Sequence, residues 1–139
     1  MNDEQFKLVQ KSLIRVRPIA DQVAESFYQH LFEVGPHLRK LFMGNMERQG
    51  AMLMTSLELA VNGLDNMESI LPSVWALGER HASYGVKPEY YPLATDSFLW
   101  ALEHHLGDTF TPALKDAWAE ALNALVRAMS SATRDALVK

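Results

Sequence analysis

The sequence predicts an all-α domain built from six long helices and one short one. Three observations carry this. Apolar residues recur at three- and four-residue spacing along almost the whole chain, the period of a helix with one buried face. No stretch alternates apolar and polar residues for long enough to make a strand. The breaks between periodic runs hold proline, glycine and asparagine, which stop or cap helices. A chain of 139 residues fits one domain around a single core.

Each element follows from its residues. In the first helix Phe6, Leu8, Val9, Leu13, Ile14 and Val16 form the stripe, Asn2 or Asp3 caps it, and Pro18 ends it. The second runs from about Ile19 to Val34, with Ala20, Val23, Ala24, Phe27, Leu31 and Phe32 on one face and Gly35-Pro36 as the stop. A short helical turn covers HLRKLF, and the loop MGNMER follows. Gln49 to Val61 forms a helix rich in Met, Leu and Ala that frays through Asn62-Gly63 and Asn66. Pro72 suits the first turn of the next helix, which carries His81 and closes at Gly85. Pro88 to Leu106 forms another, stopped by Gly107. Thr111 then caps a last helix that opens on Pro112 and continues to about Leu137. Helices of this number and length favour packing at mixed angles over a four-helix bundle.

Composition narrows the function. The basic residues are scattered among acids and the net charge is −4, so nothing resembles a nucleic-acid footprint. The absence of cysteine excludes disulfides, thiolate metal ligands, cysteine nucleophiles and covalent haem attachment. The N-terminus is acidic and amphipathic and shows no signal peptide. No run approaches the roughly 18 apolar residues of a membrane span. A soluble, cytoplasmic protein without membrane partners is expected.

Five histidines are the main chemical candidates. No pair shares the i,i+4 spacing of a zinc motif. His104 and His105 are adjacent and point about 100° apart at a helix end, His37 sits in a turn, and His30 faces away from Tyr28. His81 differs, because Ile70, Val74 and Leu77 share its face. A histidine there is either a satisfied core residue or the ligand of a large apolar cofactor. In the second case the carbonyl of Leu77 or Gly78 would hold its other ring N–H. Gln49, with Met52, Leu53, Ser56 and Leu57 on its face, and Tyr28, in FYQHLF, offer two hydrogen-bond donors for an apolar slot. Trp75, Trp100 and Trp118 read as structural, Trp118 within a helix stripe.

Over essentially its whole length the chain resembles the globins, in particular bacterial single-domain haemoglobins and their neuroglobin-like relatives. Pro36 and Phe42, in PHLRKLF, fit the proline that opens the family's short third helix and the phenylalanine that stacks on the haem. Gln49 and Leu53 fit the distal pair, Tyr28 the distal tyrosine in FY-x-x-LF, and His81 the proximal histidine in L-G-x-R-H-x-x-x-G-V. The segment FLWALEHHLGDTFTPALKDAWAEALNALVRAMS looks like the neuroglobin-like branch, with L-E-x-x-L-G and F-T-P-A-x-x-x-A-W. Two departures stand out. Gln49 replaces the distal histidine of neuroglobins, which favours an open sixth position on the iron. Flavohaemoglobins support the proximal histidine with a tyrosine and a glutamate; Tyr91 fits the first, but Thr133 stands at the second.

The resemblance implies a globin fold around one non-covalent haem b with His81 as the iron ligand. Phe42, Leu53, Leu77 and Val86 would form apolar walls, Arg80 and Tyr84 would meet the propionates, and Tyr28 and Gln49 would donate to dioxygen. Reversible, high-affinity oxygen binding for storage or delivery is the first reading, with carbon monoxide as a weaker beneficiary of the donors. The second is conversion of nitric oxide to nitrate with an external reductase, since the flavin and nicotinamide domains of flavohaemoglobins find no room in 139 residues. A redox or gas-sensing role ranks third. The remaining alternative is a helical bundle without haem, in which His81, Gln49 and Tyr28 are unrelated.

Overall fold

The computed structural model describes residues 1–138, with side chains through Met129. Its α-helices are α1 (Asp3–Val16), α2 (Ala20–Val34), α3 (Met46–Asn62), α4 (Met67–Ser83), α5 (Tyr91–Leu106) and α6 (Pro112–Val138), and the described residues contain no strand. The predicted short helix is a 3-10 turn over Pro36–Leu41, and similar single turns lead into α2, α4, α5 and α6. Pro36 opens its turn without needing an N–H, and Leu38 is its buried anchor.

The caps explain most boundaries. The Asn2 side chain accepts from the Gln5 amide at 2.8 Å, and the Gln5 side chain accepts from the Asn2 amide at 3.1 Å, a reciprocal capping box. Thr111 Oγ1 accepts from the Leu114 amide at 3.2 Å and starts α6. Asn45 Oδ1 accepts from the Arg48 amide at 3.1 Å, so α3 begins at Met46, three residues before the start expected at Gln49. Gln49 therefore sits at the end of the first turn.

Pro72 corrects the sequence reading more strongly. It lies inside α4, which starts at Met67. Proline cannot donate to the carbonyl four residues back, here that of Glu68. Both residues are exposed, on the solvent side of the helix. Downstream, α4 stops as expected: Gly85 adopts φ +95°, and the Val86 amide donates to the His81 carbonyl at 2.9 Å.

The helices pack in a pattern that leaves a gap. α2 lies on α3 and α5, α1 lies on α6, and α4 rests chiefly on α6, whereas α3 and α4 scarcely touch. Where α2 crosses α3, Gly50 takes the place of a larger residue; a Cβ there would lie 3.0 Å from that of Ala24 and 3.9 Å from the Tyr28 ring. This close crossing sets Tyr28 beside the first turns of α3.

The core anchor is Trp118, fully enclosed on α6. Its Nε1 donates to Ser12 Oγ at 2.8 Å, and that hydroxyl donates to the Val9 carbonyl at 2.7 Å. Ser12 is as buried as the tryptophan it serves. Trp75 and Trp100 depart from the structural reading: they are 44% and 40% exposed. Each is one residue away from a buried position (Val74, Ala101), so each points about 100° from its helix's inward stripe. Trp100 stacks with His30 and His104, with ring centroids 4.7 and 5.1 Å apart.

Ser12→Ala leaves the Trp118 N–H buried without an acceptor and should cost about 1–3 kcal/mol, read as a lower midpoint in urea unfolding. Adding Trp118→Phe should cost less than the sum of the two single changes, because the orphaned donor goes with it.

Candidate functional site

The site is built on the two helices that stand apart. α3 carries Gln49 and Leu53, and α4 carries Leu77 and His81. Phe42, Leu53, Leu77 and Val86, the predicted apolar walls, are all only partly buried. Half-covered apolar side chains of this kind present surface that a large apolar ligand would cover.

His81 is partly buried near the end of α4. Burial lowers its pKa from the ordinary 6.5, and the adjacent Arg80 guanidinium lowers it further, so the imidazole is neutral around pH 7. Its Nδ1 lies 3.3 Å from the Tyr91 hydroxyl at the start of α5. That hydroxyl stands where the sequence reading expected the carbonyl of Leu77 or Gly78. With Nδ1 engaged by Tyr91, Nε2 remains for a ligand. Thr133, at the position of the second supporting residue, lies outside the described side chains.

Tyr28 lies in an aromatic cluster. Its ring packs edge-on to Phe27 at 5.0 Å and to Phe42 at 5.3 Å, and stacks on Phe32 at 5.9 Å. Burial pushes its pKa up to about 12. Among the described residues its hydroxyl has no hydrogen-bond partner, yet no enclosed polar atom lacks one. The ring is therefore buried while the hydroxyl meets open space. Gln49, partly buried one residue before the crossing glycine, donates from Nε2 to the Met43 carbonyl at 3.4 Å, a long bond that leaves its second N–H available. Tyr28 also lines a cavity of about 1000 Å³ that reaches Phe98 and Trp118 between α1, α2 and α3; His81 does not line it.

The rim matches less closely. Arg80 and Tyr84 are exposed, Tyr84 at 68%, and among the described residues no hydrogen bond or ion pair orients either side chain. Met52 and Ser56, expected on the face of Gln49, are instead exposed, Met52 at 60%, whereas Leu53 and Leu57 are partly buried. His30, which faces away from Tyr28, and His105, at the helix end, are each tied to a serine: His30 Nδ1 to buried Ser97 at 2.9 Å and His105 Nε2 to Ser26 at 2.8 Å. A serine one face away on a neighbouring helix leaves no periodic signal.

The Globin family model matches residues 25–129, which hold α3, α4, α5 and Tyr28 on α2. The chain is a globin. A flavohemoprotein of Halalkalibacterium halodurans is 29% identical over 124 residues, 87% of this globin but 30% of the relative's length. The chain thus spans less than a third of that protein. Two solved structures have the same fold throughout. A bacterial globin from Campylobacter jejuni superposes with a TM-score of 0.88 at 21% identity, covering 99% of this chain and 100% of the other. An engineered carbene transferase, described as a putative nitric oxide dioxygenase from Rhodothermus marinus, gives 0.89 at 25% identity and covers 99% and 96%. Membership in the globins implies a haem-binding domain. The residues fit that group: a neutral imidazole with one free nitrogen, a half-covered apolar crevice, and an unpartnered hydroxyl. Among the described residues no helix is long and apolar enough to cross a membrane.

Two pH effects follow. The unfolded chain takes up a proton on His81 near pH 6.5 that the folded protein refuses, so stability of the haem-free protein should fall as pH drops through and below that value. Tyr28 behaves oppositely: folded, it keeps its proton to about pH 12, whereas the unfolded tyrosine loses it near 10, so stability falls between those values. An ultraviolet phenolate titration should show one component near pH 12 that disappears in Tyr28→Phe.

Proposed function

We propose that this globin holds a non-covalent haem b on His81 and binds dioxygen reversibly and with high affinity, in the cytoplasm. The observation that carries the reading is the pairing of a neutral His81 on α4 with an unpartnered Tyr28 hydroxyl beside α3, across helices that do not pack together. Haem, when bound, supplies a ferrous iron able to take a diatomic gas as ligand. The chain's residues supply the rest. His81 offers Nε2, and Tyr91 holds the Nδ1 proton, fixing the tautomer. Phe42, Leu53, Leu77 and Val86 exclude water. Tyr28 donates toward a ligand that carries partial negative charge, and Gln49 adds a second donor when it releases Met43. Arg80 and Tyr84 are assigned to the propionates.

Each donor in a dry site contributes about 1–3 kcal/mol, or roughly one to two decades in affinity. Tyr28 is the better preorganised of the two, since aromatic packing fixes its ring while Gln49 is engaged elsewhere. Dioxygen, with superoxide-like charge, gains most; carbon monoxide, less polar, gains little.

A second reading is supported by the relatives' names: removal of nitric oxide by dioxygenation, with an external reductase. Flavohemoprotein relatives and the Rhodothermus marinus neighbour point there. The same donors serve either role.

Stopped-flow ligand replacement on the haem-loaded protein tests the first reading. Tyr28→Phe should release dioxygen about 10- to 100-fold faster while carbon monoxide release changes little. An unchanged oxygen off-rate would remove Tyr28 from the site. His81→Ala should abolish histidine ligation, with recovery on adding free imidazole. Rapid mixing of the oxygenated protein with nitric oxide, in the presence of candidate reductases, tests the second: stoichiometric nitrate without turnover leaves the protein an oxygen binder.

A further inference from the structure

We propose that Gly78 is a positioning residue. By letting the α4 backbone lie against the Met129 peptide of α6, it sets where His81 stands relative to Tyr91 and to α3. The proposal rests on the reading of His81 as the haem ligand.

Gly78 is buried in the interior of α4, with five residues between it and the helix end. Glycine is unfavourable there relative to alanine, so the helix itself gives no reason for it. The packing does. A Cβ on residue 78 would lie 2.5 Å from the Met129 carbonyl oxygen, 3.0 Å from its Cα and 3.1 Å from its carbonyl carbon. All three are backbone atoms of a long helix, so no side chain can rotate aside to make room. The only relief is to move α4 away from α6.

Such a movement reaches the site directly. Gly78 precedes His81 by three residues, one turn of a rigid helix. α6 is the main support of α4, whereas α3 scarcely touches it. The Tyr91 hydroxyl belongs to α5, which does not pack extensively on α4 and so would not follow it. At 3.3 Å the His81–Tyr91 contact is already at the long end of a hydrogen bond, and a shift of a few tenths of an ångström breaks it. The imidazole then loses the partner that fixes its tautomer and electron-richness. Alanine at position 78 is the smallest change that forces the displacement.

Gly78→Ala has opposite consequences under the two explanations. Helix propensity alone makes the variant more stable, with His81 undisturbed. The backbone contact makes the haem-free protein less stable in urea. It also lowers the iron–histidine stretching frequency of the ferrous haem-loaded protein, as Tyr91→Phe does, and speeds haem transfer to an acceptor globin by about tenfold or more. An unchanged frequency with unchanged or raised stability overturns the proposal. Where Gly78→Ala does not fold, hydrogen exchange on the unaltered haem-free protein decides. Amides 78–82 should be protected as well as those around Met129; free exchange at 78–82 beside a protected α6 overturns it. A ferrous protein without any iron–histidine mode overturns the ligand reading instead, and the urea and exchange results then judge the contact alone.

Discussion

The helices bearing Gln49 and His81 scarcely pack on each other, and each is held by a different neighbour. α3 is held by α2 at the Gly50–Ala24 crossing, and α4 by α6 at the Gly78–Met129 approach. A hydrophobic slot collapses unless its walls have better contacts elsewhere. In both places a glycine permits a close approach, to the Ala24 Cβ at Gly50 and to the Met129 backbone at Gly78, so each helix has little freedom to shift toward the other.

Polar groups are distributed in keeping with this. The deep core contains few, and those are fully satisfied, as with Ser12 between Trp118 and the Val9 carbonyl. At the crevice the arrangement is looser. The Tyr28 hydroxyl has no partner among the described residues, Gln49 makes one long bond to a loop carbonyl, and His81 makes one to Tyr91. Burial shifts the two titratable groups in the direction of neutrality: His81 toward the unprotonated imidazole, and Tyr28 toward the phenol.

Much of this was legible in the residues. Helical periodicity and the caps at Asn2, Thr111 and Gly85 located the six helices, because caps and stripes are local properties. The apolar face around His81 left a core residue and a cofactor ligand both open, and it was the resemblance of Pro36, Phe42, Gln49 and Leu53 to globin positions that implied haem. Local signals failed where a distant partner decided. Pro72 was read as a first-turn residue, yet it sits mid-helix because Glu68 faces water. Trp75 and Trp100, read as structural, each lie one residue off their buried stripe. The serine partners of His30 and His105 lie on another helix and have no local signal.

By itself the sequence determined the helices, their order, and which side chains were candidates for the site, since each follows from spacing and residue type along the chain. Only the tertiary structure decided what those side chains meet. That His81 engages the Tyr91 hydroxyl rather than a carbonyl on its own helix depends on the separation of α4 and α5. That the Tyr28 hydroxyl stays free depends on how α2 crosses α3. That Gly78 bears on the site at all depends on a backbone contact with α6, fifty-one residues away along the chain and invisible to any local pattern.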